Sequence, residues 1–151
     1  MLGKLSRSRP NKLHVRRAIA CAVGGDALKN PFKRGAVDSI LLDAPCSSLG
    51  IIRKHPEIKW RRREQDVAAF GGVQREMIRS LGESLRRGGH LVYSVCSFEP
   101  EETTEVVEQV LSEGSFAREK ALPGLIPDDY FLSLPHVSGM DGFFIARLRK
   151  L

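Results

Sequence analysis

At 151 residues and 42% hydrophobic, the chain has enough material for one globular domain but not two, and its longest apolar run is too short to cross a membrane. A net charge of +6 favours a polyanionic partner, although a basic surface kept only for solubility has the same composition. The cysteines Cys21, Cys46 and Cys96 are odd in number and lack zinc-type spacing, which argues against a disulfide framework or a metal site and fits a reducing cytoplasm.

Residues 1–17 form a basic segment with no acidic residue, and residues 18–151 read as the folded domain. A short apolar stretch, Ala18 to Val23, ends at Gly24-Gly25-Asp26. "AVDSILLDAP" is a continuous β-type run, expected to be a strand buried on both faces and stopped by Pro45. From Gln65 to Arg87 the apolar residues Phe70, Val73, Met77, Ile78, Leu81 and Leu85 recur at helical steps, with Gly88-Gly89 as the expected terminator. "HLVYSVC" reads as a second buried strand. Pro100 opens a helix with Glu101, Glu102 and Glu105 in its early turns, where the helix dipole favours acids, and Val106, Val107, Val110 and Leu111 form its apolar face. Residues Lys120 to Met140 are loop-rich, and "GFFIARLRK" closes the chain as a strand.

Strands alternating with helices imply βαβ crossovers and a mainly parallel sheet, whose functional groups gather at the carboxyl ends of the strands. Asp43 and Cys46 follow one strand, Cys96 the next, and Asp26 an earlier one, so all four are expected to face one crevice. A cysteine is a nucleophile when its thiolate is stabilised, as near cations or a helix N-terminus, and Cys96 precedes an expected helix start. The plainer alternative is that both cysteines are small buried hydrophobes. The segment from Arg53 to Arg63 holds Arg53, Lys54, His55, Lys59, Arg61, Arg62 and Arg63 around Trp60. Cations bind phosphates and an indole face stacks on an unpaired base, so this segment reads as a nucleic-acid contact rather than a solvated loop with Trp60 as a core anchor.

"DAPCSSLGIIRKHPEIKW", "GGHLVYSVCSFEPEE" and "DGFFIARLRK" resemble the RNA cytosine-C5 methyltransferases that use S-adenosylmethionine, in particular the bacterial 16S ribosomal RNA enzymes of the Sun/Fmu (RsmB) type. The resemblance implies a Rossmann-like α/β methyltransferase fold: a mostly parallel sheet with an antiparallel C-terminal strand. It implies that Cys96 attacks the base, that Cys46 assists product release, and that Asp43 stabilises the adduct. Asp26 and Asp43 would lie at the cofactor, and Arg53, His55, Lys59 and Trp60 at the RNA. No metal and no membrane partner is implied.

That chemistry has a clear need for two thiols. Carbon 5 of cytosine is a poor nucleophile until a thiolate adds to carbon 6, and afterwards the carbon-5 proton must leave and the sulfur be expelled. The base must also leave its stack, at a cost of about a few kcal/mol that cationic and aromatic groups offset. The chain departs from the family pattern in Val95, where the family has threonine, and in Thr103, where it has asparagine. It also lacks the glycine-rich cofactor loop and the ribose-binding acid that lie upstream of the GDA motif. The expectation is therefore an N-terminally truncated catalytic domain, with an open sheet edge and incomplete cofactor site. A non-catalytic RNA-binding remnant is the alternative; a cysteine hydrolase is weaker, since nothing is placed to orient His55 or His90 as a base.

Overall fold

Aliphatic residues suited to a pleated ladder form the first strand, β1 (Val37–Asp43), and Pro45, which has no amide proton to give, ends it. The computed structural model describes residues 22–151. The basic segment 1–17, most of the apolar stretch that follows it, and Cys21 lie outside the described residues.

From β1 the chain passes through a short 3-10 turn (Leu49–Ile51) and one helical turn, α1 (Ile58–Arg61), into the long helix α2 (Glu64–Gly82). Asp66 secures the start of α2 by accepting the Arg63 amide at 2.9 Å. The next strand, β2 (Leu85–Val95), lies parallel to β1, with Ile40 opposite Leu91 and Asp43 opposite Ser94. A 3-10 turn (Pro100–Glu102) leads into α3 (Thr104–Ser112), followed by β3 (Phe116–Glu119), β4 (Tyr130–Ser133), the single turn α4 (Pro135–Ser138) and β5 (Phe143–Lys150). β5 runs antiparallel between β2 on one side and a row made of β3 and β4 on the other. β3 meets residues 147–150 of β5 and β4 meets residues 143–146, so they form one strand row interrupted by the excursion 120–129. Four strands therefore point one way and the last opposes them, as the sequence leads one to expect.

The core lies between this sheet and α2 with α3. Leu91, Tyr93 and Val95 of β2, Phe144, Ala146 and Leu148 of β5, Ile78 of α2 and Val106, Val107 and Val110 of α3 are all essentially inaccessible. The apolar face read for α3 is thus the one observed.

The structure differs from expectation in four places. α2 stops at Gly82, not Arg87, because the next carbonyls are claimed by the approach to β1: Gly35 donates to Glu83 O at 3.1 Å and Val37 to Ser84 O at 2.9 Å. Leu85 keeps the helical spacing yet belongs to β2, and residues 86–89 loop out between the pairs Val37–Leu85 and Ser39–His90. Gly88 makes that bulge possible with φ 76°. β1 is not buried on both faces: Leu42 and Ile40 face the core, whereas Leu41 is 73% exposed. Among the described residues β1 is an edge strand. α3 starts at Thr104 after a break at Thr103, and β4 adds a strand inside the stretch read as loop.

Candidate active site

Because β1 and β2 are parallel neighbours in register, their carboxyl ends deliver the segments after Asp43 and Val95 to the same place. The ladder continues one step past β1, with Ala44 N donating to Ser94 O at 3.0 Å. Cys46 and Cys96 then meet with their sulfurs 3.3 Å apart, both as free thiols. The following residues meet too: Ser47 and Ser97, both fully buried, bring their hydroxyls to 3.4 Å. Ser48 is the only described non-glycine residue with positive φ, at 64°, a backbone cost that only a well-braced loop sustains.

The two thiols ionise differently. The hydrogen bond with Cys46 is the main cause that lowers Cys96, to about 6, with Ser48 adding to it, against the opposing effects of burial and the Asp43 charge. Cys46 is pushed far above an ordinary thiol, first by its bond with Cys96 and then by burial. Of the two thiols, Cys96 is the one whose ionised form is favoured. The helix N-terminus expected to support Cys96 does not do so: α3 begins eight residues later, and the support comes from Cys46 and Ser48.

Behind the cysteines lies a buried polar hub that reading the sequence misses. Glu102 is fully buried and its carboxylate accepts the Ser47 amide at 2.7 Å, the Ser47 hydroxyl, and Gln74 Nε2 at 3.3 Å. Gln74 Nε2 also donates to Pro45 O at 2.9 Å, while its Oε1 lies 2.8 Å from the Tyr93 hydroxyl, which reaches Glu102 O at 2.6 Å. The loops close at a pair of glycines: Gly50 N donates to Cys96 O at 3.0 Å and Gly142 N to Gly50 O at 2.8 Å. A Cβ on Gly50 would stand 2.1 Å from Gly142 O, so this contact requires glycine. "DAPCSSLG", "VCSFEPEE" and "DGFF" thus converge on one point.

Asp43 sits exposed at the end of β1, its Oδ1 accepting Ser94 Oγ at 3.1 Å. Asp26 has its side-chain hydrogen bond within its own turn. It caps a 3-10 turn (Ala27–Lys29) through the Leu28 amide at 2.9 Å, and Asn30 just beyond is bonded to Ser80 near the C-terminal end of α2. That end of α2 adjoins the start of β2, opposite the cysteines.

The basic segment runs beside the Cys46 loop, with Arg62 Nε donating to Ser47 O at 3.0 Å. Trp60 is 82% exposed and Lys59 lies over its ring at 5.4 Å, so the indole is a surface platform and not a core anchor. Arg53 and Lys54 are occupied: both hold the Asp141 carboxylate, at 2.6 and 2.5 Å, and Lys54 first, then Arg53, lower its pKa. His55 is exposed and faces Glu57 at 3.3 Å. Among the described residues no three His, Cys, Asp or Glu side chains group as a metal site, and no helix is long and apolar enough to cross a membrane.

A family model described as 16S rRNA methyltransferase RsmB/F matches residues 4–149. The chain belongs to this family. It is 39% identical over 155 residues to the Ribosomal RNA small subunit methyltransferase B of Vibrio cholerae, covering 97% of this chain and 34% of that protein. The corresponding protein of Photorhabdus laumondii is 43% identical over 115 residues, covering 75% and 26%. The structure resembles that of NSun6 from Pyrococcus horikoshii, solved with SFG, with TM-score 0.69 and 35% identity over 85% of this chain and 34% of that one. A methyltransferase homolog from the same organism gives TM-score 0.62 and 32% identity, over 76% and 39%. The sheet described above is accordingly the Rossmann-like methyltransferase fold, and the chain spans about a third of the length of the curated RsmB relatives it matches. Within the RsmB/F frame, two signals for the hub were present in the sequence: an acid two residues after a strand-to-helix proline, and a lone glutamine on the apolar stripe of α2.

Proposed function

We propose that this RsmB/F chain carries the chemical half of a site that methylates carbon 5 of cytosine in RNA, with 16S ribosomal RNA as substrate, through a covalent bond between Cys96 and carbon 6. One observation carries the reading: two free thiols 3.3 Å apart, delivered by the carboxyl ends of two adjacent parallel strands. A lone reactive cysteine would need no such neighbour.

The residues account for the steps in order. The Cys96 thiolate adds to carbon 6, and the ring electron pair shifts toward carbon 5. Asp43, exposed beside the cysteines, would steady the adduct by accepting an N–H from the ring edge. Cys46 keeps its proton while Cys96 is anionic, because two adjacent thiolates repel. Once Cys96 becomes a thioether that repulsion is gone, and Cys46 can lose its proton to solvent water. It then takes the carbon-5 proton, and the electron pair released expels Cys96 sulfur from carbon 6. Forming the adduct thereby arms the group that ends it. The base is held meanwhile by the exposed arm of Lys59 and Trp60.

The family's cofactor, S-adenosylmethionine, supplies an electrophilic methyl group when bound. Among the described residues Asp43 would offer it a carboxylate beside the cysteines, and Asp26 a second one on the segment that leads into β1. The exposed Lys59–Trp60 arm would by itself serve a second reading, a module that binds RNA without reaction. A reduced thiol pair at this distance suits a cytoplasmic setting.

The test uses Cys46→Ala and Cys96→Ala, each in this chain and fused behind the preceding two-thirds of the Vibrio cholerae relative, mixed with 16S rRNA and S-adenosylmethionine. Cys46→Ala is expected to give a slow protein–RNA band on a denaturing gel, and Cys96→Ala none. A band from Cys96→Ala alone reverses the roles, and none from either variant in either form supports binding without reaction.

A further inference from the structure

We infer that Glu102 is a positioning residue that sets the Cys46–Cys96 contact from behind, acting through Ser47 and Gln74. This rests on Cys96 as the nucleophile, but not on any RNA or cofactor.

Three observations support it. A fully buried carboxylate without a cationic partner is costly, and here it is held only by neutral donors: one amide, one hydroxyl and one carboxamide. Each of those donors belongs to the machinery that places the thiols. Ser47 N and Oγ come from the residue after Cys46, and Gln74 Nε2 grips Pro45 O just before it, so Cys46 is clamped on both sides. The Ser47 hydroxyl also meets Ser97, the residue after Cys96, so the same carboxylate fixes both loops relative to each other. A carboxylate serving only to start α3 would point along the helix axis; this one turns inward, away from it.

The position matters because the Cys46 S–H reaches Cys96 sulfur at 3.3 Å only while both loops are held in place. The charged and titratable groups around the pair are few. Asp43 lies at the end of β1, Arg62 reaches Ser47 O from the basic arm, Tyr93 of β2 bonds Glu102 O, and Arg75 of α2 acts on Tyr93. Removing Glu102 takes a charge from the interior. By charge alone that would lower the Cys96 midpoint, whereas losing the clamp raises it. The direction of the shift therefore separates positioning from bulk electrostatics.

The experiment measures iodoacetamide labelling of Cys96 against pH in this chain, with peptides resolved by mass spectrometry so that Cys21 and Cys46 are scored apart. Glu102→Ala is expected to raise the midpoint by one pH unit or more. Glu102→Gln, which retains an acceptor for the Ser47 amide, is expected to stay within half a unit of the parent. A folded Glu102→Ala chain with an unchanged or lowered midpoint overturns the proposal, whatever its effect on thermal stability. If Glu102→Ala does not fold, Gln74→Ala is read instead; it frees Pro45 O and is expected to raise the midpoint by a smaller step, and no rise overturns the proposal. Because labelling needs no substrate, a failed RNA adduct leaves this result interpretable.

Discussion

The two sides of the cysteine pair differ in how they handle charge. On the inner side, Glu102, Gln74, Tyr93, Ser47 and Ser97 are sealed from water and nearly every polar atom has a partner inside the protein. On the outer side, the cations from Arg53 to Arg63 stand in solvent, and several hold the half-buried Asp141 or lie over an aromatic ring. Buried hydrogen bonds lose heavily when one partner is removed, whereas exposed ion pairs are worth about 0–1 kcal/mol. The inner side should therefore govern geometry and reactivity, and the outer side grip on a polyanion.

The strongest way to break the inner side is Gly50→Ala. Its new methyl would collide with Gly142 O, which is backbone and cannot swing aside, so a loss of at least about 3 kcal/mol is expected in urea unfolding. Gly24→Ala, where nothing lies within 4 Å, is the control and should change stability by less than about 0.5 kcal/mol. Equal effects would mean that the glycine contact does not join the loops.

Next in size is the split between the thiols. In the parent chain Cys96 labelling should rise with a midpoint near pH 6, because the depressed thiol is already ionised above that value. Cys46→Ala removes the S–H donor, and the midpoint should move up to the ordinary thiol range, about 8.5. A midpoint that stays near 6 would assign the depression to Ser48 instead.

The smallest structural effect belongs to the outer side. Trp60→Ala should leave unfolding unchanged within about 0.5 kcal/mol, since the indole is 82% exposed, yet weaken single-stranded RNA binding by about 1 kcal/mol or more. Lys59→Ala should flatten the salt dependence of that binding by about one unit of slope. Filter binding across salt concentrations reads both, and a Trp60→Ala chain that binds normally but unfolds early would reverse the contrast.

Much of this site is legible in the sequence because one proline marks the end of β1 and another the turn that follows β2. Pro45 and Pro100 bracket the cysteines, and apolar runs before them fix two adjacent parallel strands. What escapes has physical causes. Leu85 keeps helical phase with Leu81, so only the carbonyls claimed by Gly35 and Val37 show where α2 ends. Glu102 looks like an acid matched to a helix dipole, and a one-residue pattern does not distinguish that from an inward-turned carboxylate. β4 is four residues long and set off by the excursion 120–129, so no alternation reveals it. The edge exposure of Leu41 depends on what lies beside β1, which its own side chains do not encode.

The placement of β5 has a consequence for synthesis. β5 is the last strand in sequence but lies in the interior of the sheet, between β2 and the row of β3 and β4. During translation β2 must wait with one edge open until residues 143–150 emerge, a long-range closure of the kind that folds slowly. Gly142, which locks Gly50 and so the Cys96 loop, arrives at the same moment. A nascent chain would therefore carry both cysteines well before they form a reactive pair, and a ribosome stalled short of Gly142 would release a protein with two ordinary thiols.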